Sequence, residues 1–113
     1  MDEKQLKRAM ELISVAGTAK SMCINAMNQA EKGEIDTART TLKDAKKTLH
    51  EAHNIQTKWM TDEMNGEKVE KSIMLIHSQD HFISADIMMT VAEKVINLHD
   101  EVSQLKAKEQ VNG

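Results

Sequence analysis

Proline is absent from this chain of 113 residues, and its glycines leave two interior places where a helix has reason to stop: Gly33 and the pair Asn65-Gly66. With no proline, nothing kinks or ends a helix from within, and a glycine just past a last turn supplies the left-handed backbone that terminates one. Phe82 and Trp59 are the only aromatic side chains besides histidine, whereas Ala, Met, Leu, Lys and Glu dominate. That composition lacks the strand formers and turn punctuation of a sandwich or barrel and favours helices. The expectation is an all-α single domain over residues 1–113. Its architecture is an up-down-up three-helix bundle with a long third helix, the helices covering about residues 3–31, 35–61 and 67–108.

The apolar periodicity fills in this outline. In the first segment Leu6, Met10, Ile13, Gly17, Ile24 and Met27 mark one face, widened by Ala9, Ala16, Cys23 and Ala30. The second is the most regular, with Ile35, Ala38, Leu42, Ala45, Leu49, Ala52, Gln56 and Trp59 in steps of three and four. Gln56 is its polar exception. The third carries Val69, Ile73, Ile76, Ile83 and Ile87, then Val91, Val95, Leu98, Val102 and Leu105, and the position missing from that series is Asp80. A second apolar edge runs through Met74, Leu75, Phe82, Met88 and Met89. One edge can pack on the first two helices while the other finds no partner within a single chain. Self-association through the third helix is therefore expected, with cyclic symmetry as the closure.

Several function classes fall away. The formal charge is −3 with both signs interspersed, which lacks the basic patch that nucleic acid requires. Charges precede any apolar run and no apolar stretch approaches the length of a bilayer, so neither a signal peptide nor direct membrane insertion is expected. The single Cys23 cannot form an intrachain disulfide, and a cytoplasmic location fits best. Set among Met22, Ile24 and Ala26, Cys23 reads as a buried apolar side chain. The nine Met are dispersed at helical spacings, as core filler rather than a copper site.

Chemistry has few places left to reside. His50 and His53 lie one turn apart with no third ligand in reach, and His99 stands alone. His77, Asp80 and His81 share positions i, i+3 and i+4 of the third helix. That spacing admits three readings: a mononuclear zinc site, histidines satisfied structurally, or His77 as a nucleophile toward a phosphoryl group near neutral pH. A carboxylate in an apolar seam needs compensation. If copies of the third helix meet about an axis, equivalent Asp80 carboxylates must protonate, separate or recruit a hard cation such as Mg²⁺. A non-catalytic helical adaptor and a metal-binding bundle remain the competing classes.

The run Leu75-Ile76-His77-Ser78-Gln79-Asp80-His81-Phe82, with Glu51-Ala52-His53-Asn54-Ile55-Gln56-Thr57 before it and Ser14-Val15-Ala16-Gly17 in the first helix, closely resembles the lactose/cellobiose-specific IIA component of the bacterial phosphoenolpyruvate-dependent sugar phosphotransferase system. The resemblance covers nearly the whole chain. It implies a three-helix bundle assembled as a homotrimer, and a phosphotransferase component working through a phosphohistidine. By that resemblance His77 accepts the group from the histidine-containing phosphocarrier protein and passes it to a cysteine of the cognate IIB component during disaccharide uptake. Gln79 and His81 match supporting positions beside the active histidine. Asp80 matches a threefold-axis carboxylate, three copies of which hold one structural divalent cation, usually Mg²⁺. Ser78, where Ala is common, and Asp86, in a stretch often uncharged, are the departures.

Overall fold

The computed structural model describes residues 1–112 and forms a rod of 67 × 20 × 17 Å. Three helices build it: α1 (Glu3–Glu31), α2 (Ile35–Met64) and α3 (Ile73–Asn112). Asp2 starts α1, its carboxylate accepting the Gln5 N–H at 2.8 Å. Both interior stops fall at the glycines. Gly33 has φ +82° and Gly66 φ +97°, and each closes its helix with paired backbone bonds: Glu34 N–H to Gln29 C=O at 3.0 Å, and Glu67 N–H to Asp62 C=O at 3.0 Å.

The second helix ends three residues beyond the expected 61, and the third starts later than the expected 67 or 69. Residues 67–72 are not helical. A buried side chain of α1 holds this connection: the Gln5 amide donates to the Lys68 carbonyl and accepts the Glu70 N–H at 3.1 Å. Backbone groups that a helix would use internally are thereby taken up by another element. Ser72 then caps α3, its hydroxyl oxygen accepting the Leu75 N–H at 3.1 Å.

Helix α2 buries the face its periodicity announced, Ala38, Leu42, Ala45, Ala52 and Trp59. The other two faces differ from expectation. Helix α1 buries Ala9, Leu12, Ala16, Ala19, Cys23, Ala26 and Ala30, while Leu6, Met10 and Ile24 are exposed. Helix α3 buries Ser78, Phe82, Ala85, Met89, Ala92 and Ile96, while Ile76, Ile83 and Ile87 are 59%, 51% and 60% exposed. The reason is steric. Alanines let helix axes approach closely, so the small side chains go to the contacts inside the chain. Apart from Leu12, Leu42, Met89 and Ile96, many of the larger Ile, Leu and Met side chains are left on outer faces. Phe82 belongs to the core with Leu12, Ala16, Ala52 and Ala85. Cys23 is fully buried with its sulfur 3.9 Å from that of Met89, and burial raises the pKa of its thiol. Among the described residues no helix is long and apolar enough to cross a membrane.

Candidate functional site

The start of α3 presents the candidate residues in different directions, as a rotation of 100° per residue requires. His77 is exposed on the second turn, and His81, one turn on, is half-buried. Their rings meet edge to face, with centroids 4.5 Å apart at 90° and the two Nε2 atoms 3.1 Å apart. Two ring nitrogens at that distance share one hydrogen, so one ring donates while the other keeps a lone pair. Ser78 is fully buried, and its hydroxyl donates to the Leu75 carbonyl at 2.6 Å. The departure from alanine is thus satisfied within its own helix turn.

Gln79 points the other way. It is half-buried against α2, where the Gln56 amide donates to its carbonyl oxygen at 2.9 Å. Gln56 therefore makes a cross-helix contact. Nothing in the spacing marked Gln5 as the residue that sets where α3 begins. Asp80 is exposed and shares the outer face of α3 with Ile76, Ile83 and Ile87, so within one chain its carboxylate stays in water. His53 lies against Phe82 with ring centroids 5.9 Å apart.

Among the described residues no three His, Cys, Asp or Glu side chains come together as a metal-binding group. His77, Asp80 and His81 of one chain are thus not gathered as three ligands. What the arrangement offers is an accessible imidazole with a lone pair and a neighbouring ring N–H. That combination suits attack on phosphorus followed by stabilisation of the added charge.

The PTS system, Lactose/Cellobiose specific IIA subunit family matches residues 7–100. The lichenan-specific phosphotransferase enzyme IIA component of Bacillus subtilis is 30% identical over 104 residues, covering 92% of this chain and 94% of that protein. The crystal structure of the cellobiose-specific enzyme IIA from Bacillus anthracis superposes with a TM-score of 0.88 at 32% identity, covering 92% and 95% of the two chains. The solution structures of an IIA(chitobiose)–HPr complex from Escherichia coli give 0.74 at 28% identity, covering 89% and 98%. Fold and sequence together define a phosphotransferase component of a sugar transport system, one that carries a phosphoryl group on histidine. The chain belongs to the lactose/cellobiose-specific IIA subunit family.

Proposed function

We propose that His77 is the phosphoryl carrier of this component. It receives the group from a phosphorylated histidine-containing phosphocarrier protein and delivers it to a cysteine of a cognate IIB component during uptake of a disaccharide of the lactose, cellobiose or chitobiose type. The observation that carries this reading is the exposed His77 ring with its Nε2 3.1 Å from that of His81. With the shared hydrogen on His81, the lone pair of His77 Nε2 attacks phosphorus in line. The donor P–N bond breaks, and its electron pair returns to the donor imidazole. The incoming phosphoryl group takes the place of the ring–ring contact, and the His81 N–H is then free to donate to one of its oxygens. In the second transfer a cysteine thiolate forms the S–P bond as the N–P bond breaks. Phosphohistidine is reactive enough that the remaining task of the protein is presentation.

The same reading includes a homotrimer. Its support is the outer face of α3, where Ile76, Ile83, Ile87, Leu98, Val102 and Leu105 are all exposed in a single chain. Asp80 sits within that face and offers one hard oxygen donor per chain. The donor chemistry fits Mg²⁺, with three copies and water completing the shell. Bound there, the ion supplies neutralisation of like charges between subunits. The transfer itself is carried by His77 and His81.

The test is transfer of labelled phosphate from the phosphorylated carrier protein, followed by peptide localisation. His77→Ala is expected to keep its helical circular dichroism and its oligomeric state and to lose all acid-labile label. Label persisting on histidine in that variant overturns the assignment.

A further inference from the structure

The first turns of α3, which carry His77, bury few side chains completely. Between the helix start and Phe82 the one fully buried side chain is Ser78, and its hydroxyl is committed to the Leu75 carbonyl of its own helix. Leu75 is half-buried and borders a cavity of about 150 Å³ shared with Val69, Trp59 and Met60. The packing that fixes a helix elsewhere in this protein is thinned out here. Across that cavity runs the Gln56–Gln79 hydrogen bond, and both amides contribute to its wall. The other polar links from α2 to α3 lie farther along: Lys46 to Glu93 at 3.7 Å, and Arg39 to Asn97 and Asp100 at 3.1 and 2.8 Å. The nearest of these, at Glu93, is on the order of 21 Å of helix beyond Gln79.

We infer that Gln56 is a positioning residue for the phosphoryl transfer: by holding the Gln79 amide against α2, it sets the roll of α3 that turns His77 outward. Residues two apart on a helix point about 200° apart. An inward Gln79 therefore means an outward His77, and a Gln79 released from α2 lets the imidazole swing toward the bundle surface. Small misplacements of a reacting atom reduce rates steeply, because alignment with the donor P–N bond is lost. The hydrogen bond that the Gln56 amide donates goes to Gln79 and not to the His77 or His81 ring. Gln56 acts through Gln79 alone.

This inference rests on His77 as the phosphoryl acceptor, and two substitutions separate it from a packing role. Gln56→Met keeps length and volume but removes the hydrogen bond. Gln56→Glu keeps an acceptor to which a flipped Gln79 amide can donate. Steady-state transfer from the phosphorylated carrier protein is the measurement, with kcat and KM determined separately and thermal melts run alongside. Gln56→Met is expected to lower kcat roughly tenfold with KM for the carrier little changed, and Gln56→Glu to recover most of that loss. A packing role gives the reverse order, with Met tolerated and the carboxylate damaging. Wild-type kcat in Gln56→Met, or a lower kcat in Gln56→Glu than in Gln56→Met, overturns the inference. If His77→Ala loses its label while Gln56→Met transfers normally, the positioning role falls and the carrier assignment stands. If His77→Ala keeps its label, the carrier assignment falls first.

Discussion

At 3.1 Å one of the His77 and His81 ring nitrogens must donate to the other, and which ring holds that hydrogen decides whether His77 has a lone pair to use. His81→Phe leaves a ring of similar size with no N–H to offer the phosphoryl oxygens. Phosphoryl acceptance, measured by rapid quench against the phosphorylated carrier, is expected to slow by roughly tenfold to a hundredfold without being abolished. His81→Gln, which returns an N–H on a shorter arm, is expected to recover part of the rate. An unchanged rate in His81→Phe assigns the ring contact to structure alone. The pairing of these two rings was readable from their i, i+4 spacing, which puts both on one side of a helix. The direction of Gln79 was not, because it depends on the register of α2 against α3, a relation between distant stretches of chain. Asp80 shows the same limit. The series it interrupts was visible, yet the side of α3 that is buried includes small residues, Ser78, Ala85 and Ala92, that an apolar count passes over.

At the scale of helices, the ends near the start of α3 are tied by charge as well as by Gln5. Arg8 of α1 donates to the Asp62 carboxylate near the end of α2, and Lys58 stands 3.7 Å from the same oxygen. The hydrogen bond from Arg8, aided by the nearby positive charges, holds the Asp62 carboxyl below its ordinary 3.8. A carboxyl depressed on folding stabilises the fold above its unfolded pKa, and that contribution is lost as pH falls through the lower folded value. Wild type is therefore expected to resist urea better than Asp62→Asn at pH 7 and down to about pH 4. The difference should then close as the pH is lowered further. A gap between the two urea midpoints that is constant from pH 7 to pH 2 rules out the linkage. The number of helices, their order and both glycine stops were legible because each has a local cause. The beginning of α3 was not. Val69 continues the apolar period of the helix after it, but the Gln5 amide, 63 residues from its carbonyl partner at Lys68, diverts the backbone there. Ser72, three residues before the N–H that its hydroxyl accepts, was the local cue.

Taken whole, the molecule is a rod whose interior contacts are made largely by alanine, so its larger aliphatic side chains lie along an outer face of α3. Burying an Ile side chain contributes on the order of 1.5–3 kcal/mol when complete, and a face with Ile76, Ile83 and Ile87 has correspondingly much to gain from further copies. In the proposed trimer Asp80, set among them, works against that gain unless a cation offsets three like charges brought close together. The two effects can be separated. Asp80→Leu removes the repulsion and extends the apolar series, so the proposed trimer is expected to persist to lower protein concentration than wild type in sedimentation velocity. Calorimetry should at the same time show no Mg²⁺ uptake by the variant. Wild type is expected to dissociate more readily when EDTA is added, because the unscreened carboxylates then face one another, while the Leu variant should be indifferent to chelation. Phosphoryl acceptance at His77 should continue in the variant, since Asp80 lies on a different face from the paired rings. An Asp80→Leu protein that sediments as a monomer where wild type is a trimer means that the carboxylate itself holds the copies together, and the opposition between charge and apolar face would have to be abandoned.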